Sequence, residues 1–325
     1  MHSLKSVRRC AACIIDTGRN MNAVEAIGLS RTYYGRHSTV RALDGVDLAV
    51  EKGKLFAFLG RNGAGKTTFV KISSTLLLPT SGTISVLGHD AVTETALVRE
   101  DIALVPQDVR PYFHLTPREH AQSYLRIRGL GREETTSRTE WILEEMGLSE
   151  YADVPCLQLS GGLQQRTMVA MVLATLAPVM FLDEPTLGMD PMARRNVWKI
   201  IEEIRSRGST VFLTTHYLDE AERLSEELAI ISRGKILFRG SVRELKVIVG
   251  ADYRAIMNRN VPRELLRGFD KIVEDGGRLL VLTTREGALS LADAAGRAGY
   301  EISVGPVTLE EAFIRLVGSS EIDEA

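Results

Sequence analysis

Residues 60–67 read GRNGAGKT and match the spacing G-x-x-x-x-G-K-[ST] of phosphate-binding loops. Glycines let the backbone curl so that successive N–H groups point at one anion. A helix beginning near Lys66 would add the partial positive charge of its N-terminus. Lys66 would reach the β- and γ-phosphates of a nucleotide, and the Thr67 hydroxyl is a hard oxygen ligand suited to Mg²⁺. The predicted nucleotide contacts of the loop are Gly60, Asn62, Gly63, Ala64, Gly65, Lys66, Thr67 and Thr68.

A second chemical feature is the apolar run 179–182, which ends in two acids, Asp183 and Glu184. A strand buried on both faces should not end in adjacent carboxylates without a cause, because a buried unpaired charge is costly. Parallel sheets bind ligands at the carboxyl ends of their strands, where this strand and the phosphate loop both finish. Asp183 is therefore predicted to hold Mg²⁺ through its water shell. Glu184 is predicted to be the general base, with a pKa raised by the neighbouring carboxylate; the alternative is a strand that ends at a solvated acidic turn.

A second glycine-containing helix start, LSGGLQQ at residues 159–165, lies just ahead of that strand. Ser160 is a good N-cap, and the glycines at 161 and 162 would let a phosphate approach the helix. A phosphate-loop kinase has no use for a second such helix, so this motif disfavours a plain kinase.

The order of motifs along the chain is GRNGAGKT, Gln107, LSGGLQQ, VMFLDEP, Gly188-Met189-Asp190 and His216. This order resembles that of an ATP-binding cassette (ABC) ATPase of a transporter, over about residues 23–240. The set is specific, because all of these features recur in the family's order. The resemblance implies that the chain binds ATP and Mg²⁺ and hydrolyses ATP.

The resemblance also implies roles for single residues. Tyr33, or its neighbour Tyr34, would stack on adenine. Gln107 would contact Mg²⁺ and the attacking water and report the nucleotide state to a membrane partner. Asp190 would belong to the loop that crosses between subunits. His216 would hold the γ-phosphate; the alternative for a lone histidine after a strand is a capped or solvated residue.

ATP would be sandwiched between two subunits, again by resemblance. Ser160 and Gly162 would contact the γ-phosphate bound on the opposite subunit, with Gly161 between them in the same site. Three positions depart from the family's pattern: Leu163 where Gln is commoner, Met171 where Arg is usual, and Met189 where Leu is usual. None removes a phosphate or Mg²⁺ contact, so we expect activity to survive, with a change in coupling to the partner.

The elements that must position these residues alternate between strands and helices, which predicts a mostly parallel sheet with helices packed around it. Residues 24–50 alternate in hydrophobicity and predict antiparallel strands with a turn at Asp44-Gly45. A strand is expected over 54–59, a helix over 67–78, and a helical region over 115–151. Together with the resemblance, this predicts an α/β fold: a P-loop NTPase core of mostly parallel sheet, an antiparallel β subdomain, a helical subdomain and a small C-terminal α+β domain.

The predicted domains follow from these elements. Residues 1–22 are expected to be a disordered N-terminal extension. Residues 23–245 form the ABC ATPase domain, with the helical subdomain at about 108–165, and residues 250–325 form the accessory domain. In that last part we expect strands over 279–283 and 301–304, a helix over 288–298, and a capping box at Thr308 and Glu311.

Composition limits the function classes. Forty basic and 42 acidic side chains give a net charge of −2, which gives no reason to expect a nucleic-acid surface. The longest apolar stretch, 167–182, is interrupted by Pro178 and is shorter than the roughly 20 residues that span a membrane. Any action at a membrane must therefore use a partner. Cys10 and Cys13 form a lone C-x-x-C, and two ligands do not make a zinc site.

Two functions remain open from the sequence. The first is a transport motor, cytoplasmic and peripheral on the inner face of the cell membrane, that works with a separate membrane-spanning permease and a second ATP-binding subunit, a homodimer being expected. The tail motif at residues 308–313, TLEEAF, resembles exporter ATPases of the daunorubicin-resistance type, although a generic regulatory or dimer-stabilising domain is an alternative. The second is a mechanical ABC ATPase acting on nucleic acid or ribosomes. The short stretch between Gln107 and Ser160, which lacks sustained heptads, disfavours it.

Overall fold

The computed structural model describes residues 22–35, 38–108, 110–275 and 277–322. The predicted N-terminal extension therefore lies outside the described residues, as do Cys10 and Cys13, except that Asn22 already opens the first strand. The strands are β1 (Asn22–Tyr34), β2 (Thr39–Glu51), β3 (Leu55–Leu59), β4 (Ser81–Val86), β5 (His89–Asp90), β6 (Ile102–Val105), β7 (Val179–Asp183), β8 (Thr210–Thr215), β9 (Glu227–Ser232), β10 (Lys235–Gly240), β11 (Tyr253–Asn258), β12 (Ile272–Asp275), β13 (Arg278–Thr283) and β14 (Ile302–Pro306). The helices are α1 (Lys66–Ser73), α2 (Thr95–Asp101), α3 (Pro117–Ile127), α4 (Arg132–Glu145), α5 (Gly161–Leu173), α6 (Pro191–Ser206), α7 (Leu218–Leu224), α8 (Val242–Val249), α9 (Arg285–Arg297) and α10 (Leu309–Ile322).

The central sheet has the strand order β10-β9-β3-β8-β7-β6 and is parallel except for the β9–β10 pair. Every residue of β3, β7 and β8 is buried, as expected for strands covered on both faces. The register pairs Leu59 with Thr215, and Thr214 with Asp183. The phosphate loop, the acidic pair and the histidine therefore leave the sheet at one edge, and the predicted α/β fold is confirmed.

The second sheet is antiparallel, with the order β2-β1-β4-β5. The predicted turn at Asp44-Gly45 is wrong, because both residues lie inside β2. Gly45 has φ 66° and falls where the β1–β2 register shifts, between the pairs Leu29–Val46 and Arg31–Leu43. A glycine in the left-handed region serves a bulge as well as a turn, and here it bends a continuous strand.

Helix α1 is shorter than predicted and ends at Ser73 rather than near residue 78. Thr75 has φ 63°, and the N–H of Leu76 bonds back to the carbonyl of Lys71 at 2.8 Å. This left-handed closure satisfies the last carbonyls of the helix before Pro79 is reached.

A cluster of phenylalanines holds α1 on the central sheet. Phe69 stacks on Phe212 of β8 with ring centroids 5.3 Å apart and contacts Phe58 of β3 at 5.1 Å. All three side chains are fully buried. Aromatic pairs of this kind stabilise a fold by roughly 0.5–1.5 kcal/mol each, beyond the contribution of the buried surface area. They therefore fix the position of α1, the helix that follows the phosphate loop, on the central sheet.

The region between β6 and β7 is helical, and its first helix begins as predicted. Thr116 accepts from the N–H of Glu119 at 3.2 Å, and Glu119 accepts from the N–H of Thr116 at 2.9 Å. This capping box, with Pro117 in the first turn, fixes the start of α3.

The C-terminal sheet, ordered β12-β13-β11-β14, packs against α9. The predicted strands at 279–283 and 301–304 and the helix at 288–298 are present within a residue to three of their expected starts. Strands β11 and β12 were not predicted. Glu222 of α7 ties this part to the rest of the chain, since it pairs with Lys246 at 2.6 Å and accepts from the N–H of Leu309 at 3.2 Å. Across the described residues, no helix combines the length and hydropathy needed to cross a bilayer.

Candidate functional site

The loop between β3 and α1 is held by close backbone packing. Gly65 is the N-cap of α1 with φ 116°, and a Cβ there would lie 2.4 Å from the carbonyl oxygen of Ala42. A Cβ at Gly60 would lie 2.5 Å from the carbonyl oxygen of Ile231. Both positions therefore require glycine because of the close contact, and Gly65 requires it for its left-handed conformation as well. No side chain caps the first N–H groups of α1, which leaves them available to an anion.

A cavity of about 270 Å³ opens over this loop and is lined by six of the eight nucleotide contacts predicted for it. Its lining residues are Tyr33, Val40, Ala42, Asn62, Gly63, Gly65, Lys66, Thr67, Thr68, Gln107 and Glu184. Gly60 and Ala64 belong to the same loop without lining the cavity. No sequence pattern indicates Val40 and Ala42, because they line the cavity only through the packing of β2 near the loop.

The structure separates the two tyrosine candidates. Tyr33 lines the cavity, its hydroxyl lies 3.4 Å from the Thr68 hydroxyl, and the Arg31 guanidinium lies 4.9 Å from its ring centroid. Tyr34 is 78% exposed and does not line the cavity. Since successive side chains of a strand point to opposite faces, one of the two must face away.

Lys66 is buried between the loop and the acidic pair. Its Nζ donates to the carbonyl of Gly60 at 2.8 Å and lies 3.7 Å from Oε1 of Glu184. Burial lowers the pKa of Lys66, and the charges of Glu184 and Asp183 oppose that change. A buried ammonium group at the phosphate loop is well placed to bind a polyanion, although the two carboxylates offset part of its charge.

Four oxygen-bearing side chains meet beside Lys66, and they form two hydrogen-bonded pairs. The Thr67 hydroxyl donates to Oε1 of Gln107 at 3.1 Å, and the Thr214 hydroxyl donates to Oδ1 of Asp183. Burial raises the pKa of Asp183, while hydrogen bonds from Thr214 and Thr67 act against the rise. A hydroxyl, an amide oxygen and one carboxylate fit Mg²⁺, which keeps several waters and takes substrate phosphates as ligands. Thr214 was missed by the sequence analysis, although it stands two residues before His216.

Glu184 and His216 are in direct contact at the same edge. Nδ1 of His216 lies 2.8 Å from Oε2 of Glu184, whose side chain is 5% exposed. The Glu184 N–H bonds to the carbonyl of Thr214 at 3.0 Å, and the residue adopts φ 52°. A non-glycine residue with positive φ is held by its surroundings and is common at functional sites. Lys66, Glu184 and His216 therefore form one connected set.

The second glycine motif lies outside the cavity. Ser160 caps α5 by accepting from the N–H of Leu163 at 3.4 Å, and neither it nor Gly161 and Gly162 lines the cavity. Asp190 likewise caps α6, accepting from the N–H groups of Met192 and Ala193 at 3.0 and 2.9 Å, and it pairs with Arg166 of α5 at 3.2 Å. One chain thus brings the phosphate loop, Gln107, Glu184 and His216 together. It does not bring the start of helix α5, which carries the second glycine motif, or Asp190 to the same place.

The three departures from the family's pattern are packing residues. Leu163 and Met171 are partly buried against the core beneath α5, and Met189 is 8% exposed in that core. None of them lines the cavity.

Comparisons with known proteins agree with this geometry. A sequence model of the family described as "ABC transporter" matches residues 43–187. The chain is 36% identical over 294 residues to a daunorubicin resistance ATP-binding protein of Streptomyces coeruleorubidus, covering 87% of this chain and 93% of the relative. It is 33% identical to a Nod factor export ATP-binding protein of Cupriavidus metallidurans, covering 92% and 98%.

Solved structures give the same picture. The ATP-binding subunit of an ABC transporter superposes with a TM-score of 0.65 at 28% identity, over 70% of this chain and 93% of that one. An ATP-binding cassette solved as a dimer in a post-hydrolysis state with ADP and phosphate gives 0.63 at 25% identity, over 67% and 98%.

Proposed function

The chain belongs to the ATP-binding cassette family of ABC transporters, and we propose that it is the ATP-hydrolysing subunit that energises a separate membrane-spanning exporter. The predicted resemblance is confirmed, and binding and hydrolysis of ATP follow from the membership. The roles that we propose for single residues rest on the 2.8 Å contact of Glu184 with His216 beside Lys66.

In the proposed reaction, ATP lies across the cavity with its phosphates on the loop and its adenine against Tyr33. Lys66 and the N-terminus of α1 neutralise the phosphates. Glu184 takes a proton from the water that attacks the γ-phosphorus, the β–γ bond breaks, and ADP carries away the bonding electrons. His216 holds Glu184 in place and faces the γ-phosphate.

We assign Thr67, Gln107 and Asp183 to a Mg²⁺ ion that enters with ATP. Bound there, Mg²⁺ would neutralise phosphate charge and so assist departure of ADP. Gln107 bonds the Thr67 hydroxyl at 3.1 Å and lies in the segment between β6 and α3, so its position is linked to the region of helices α3 and α4. A change at the phosphates would thereby reach the surface that meets a partner.

We infer that the working unit is a dimer in which each cavity is closed by the other subunit. The cavity of one chain lacks Ser160, Gly161, Gly162 and Asp190, and a similar cassette was solved as a dimer. Ser160 sits at the N-terminus of the 13-residue helix α5, where orphan N–H groups suit a γ-phosphate. Closure over ATP, and opening after hydrolysis, would be the motion passed to the partner.

Export is supported by the relatives, which are named for daunorubicin resistance and Nod factor export and match over most of their length. The chain would then sit on the inner face of the cell membrane through its permease.

Capture of the partner tests this part of the proposal. The tagged full chain, purified in mild detergent from membranes of its own host, should recover a membrane protein with several spanning helices. The control is the same purification from the nuclease-treated soluble fraction. Recovery with nucleic acid or ribosomes, and with no membrane protein, would contradict the transport function.

Replacing Tyr33 with alanine is expected to weaken ATP binding about tenfold, since losing one aromatic–base stack costs about 1–3 kcal/mol and about 1.4 kcal/mol is tenfold. Tyr34→Ala is the matched control, because Tyr34 is 78% exposed and outside the cavity. Titration of both variants with ATP measures the dissociation constants. A larger loss in the Tyr34 variant would reverse the assignment.

A further inference from the structure

Helix α7 carries a carboxylate, Glu220, that no part of the proposed reaction uses. Its side chain is 0% exposed, although it stands in a sequence, LDEAERL, that is otherwise ordinary for a surface helix. Its Oε1 accepts from the Thr186 hydroxyl at 3.0 Å and from Nε1 of Trp198 at 2.6 Å. The three groups come from separate segments: the turn after Glu184, helix α6 and helix α7.

These segments need a connection that the sheet does not supply. Strands β7 and β8 pair as far as Asp183 and Thr214, and the N–H of Glu184 makes one more bond to Thr214. Beyond that point β7 leaves the sheet toward Asp190, whereas β8 pairs with β3 for one more residue, Thr215, before the chain passes through His216 into α7. Glu220 lies four residues after His216 and bonds Thr186, which lies two residues after Glu184. It therefore directly links the segment that follows β7 to the segment that follows β8.

Placing a carboxylate here has a cost that its packing neighbours alone do not explain. A buried charge without partners is strongly unfavourable, and an apolar residue of equal size would serve a purely packing role as well or better. Burial raises the pKa of the Glu220 carboxyl, and hydrogen bonds from its neighbours oppose that rise. The acceptor oxygen is therefore needed for the donors it holds, both of which are themselves buried.

We propose that Glu220 is a positioning residue for ATP hydrolysis: by tying the turn after Glu184 to the helix after His216, it maintains the 2.8 Å contact between those two side chains. The inference rests on the proposed roles of Glu184 and His216. Trp198 anchors the same carboxylate to α6 and so limits how far the turn can drift.

The test measures kcat, the ATP dissociation constant and Tm of the full chain for single and paired variants. Thr186→Val removes the donor without changing side-chain size. We expect kcat to fall about tenfold with ATP affinity nearly unchanged, because small misplacement of a catalytic group is costly. Tm should fall only modestly, because Trp198 still donates to the Glu220 carboxylate. Glu220→Leu should lower kcat at least as much. Glu220→Gln should keep most of the kcat of the unaltered chain, since the glutamine amide oxygen can still accept both hydrogen bonds.

The pair Thr186→Val with Glu220→Leu decides whether the tie itself matters. If the two residues act through one bond, the double variant is no slower than the slower single variant; additive losses would overturn the proposal. Should Glu220→Leu fail to fold, Glu220→Gln and Asp substitutions still apply: the shorter Asp cannot reach both donors and should be as slow as Thr186→Val.

The matched control is Asp219→Asn, which changes the neighbouring carboxylate, 66% exposed and paired with Arg194. It should leave kcat unchanged. Full kcat in Thr186→Val, or a loss of kcat that only follows a loss of Tm in every variant, would overturn the positioning role. Failure of the proposed roles of Glu184 and His216 would look different, because the Glu184→Gln variant would then hydrolyse ATP at the normal rate in the same assay.

Discussion

Replacing Glu184 with glutamine is expected to stop ATP turnover and leave ATP binding intact. The amide keeps the size of the side chain and one oxygen, but it cannot take a proton from the attacking water. General-base catalysis contributes roughly 10²–10⁴-fold, and we expect a loss of about that size. Removing a negative charge 3.7 Å from Lys66 also removes repulsion toward the γ-phosphate, so ATP affinity should be equal or higher.

The variant should also accumulate as an ATP-bound dimer, because closure would no longer be followed by hydrolysis. Phosphate release measures the rate, ATP titration the affinity, and light scattering with and without ATP the dimer. Glu202→Gln is the matched control, since Glu202 is 45% exposed on α6 and pairs only loosely with Arg223 at 3.8 Å. If Glu184→Gln hydrolyses ATP at the normal rate, Glu184 is not the base.

Much of this site could be predicted from the sequence because its residues follow strand ends. Gly60 and Asp183 come directly after apolar runs, and His216 follows an apolar run and two threonines; parallel strands bring such ends to one edge. The register of β3, β7 and β8 then places them together without any further information.

Other parts of the site depend on contacts that short patterns do not contain. The choice between Tyr33 and Tyr34 depends on which face of β1 meets the loop, and β1 shifts register with β2 several times before reaching Tyr33. Glu220 is an acidic residue of a kind usually found in solvent, and only the meeting of α7 with Trp198 and Thr186 reveals its burial. Both cases depend on tertiary packing, which outweighs local pattern.

In the C-terminal part, too, some elements could be predicted from their own sequence pattern and others could not. Strand β13 and helix α9 could be predicted, since each has its own apolar pattern. Strand β11 was missed because it carries Tyr253, Arg254 and Asn258 beside its apolar residues, and it becomes a strand by pairing on both sides with β13 and β14.

If each ATP site is shared between two subunits, the effect of two substitutions depends on whether they lie on the same chain. Ser160→Arg adds a bulky side chain at the start of α5, and Lys66→Ala removes the phosphate-loop cation. Each should nearly abolish the site that it touches. In differently tagged mixed dimers, the two substitutions can be put on one chain or divided between the two chains, with identical composition.

If each site combines the loop of one chain with Ser160 of the other, dividing the substitutions damages one site twice and leaves the second site intact. Placing both on one chain damages both sites. Self-contained chains would give the reverse order. The loss of the Ser160 cap on α5, about 1 kcal/mol, affects both arrangements alike, so it cannot produce the difference. We therefore expect ATP trapping and phosphate release to be higher in the divided arrangement, and a higher value with both substitutions on one chain would rule out the shared site.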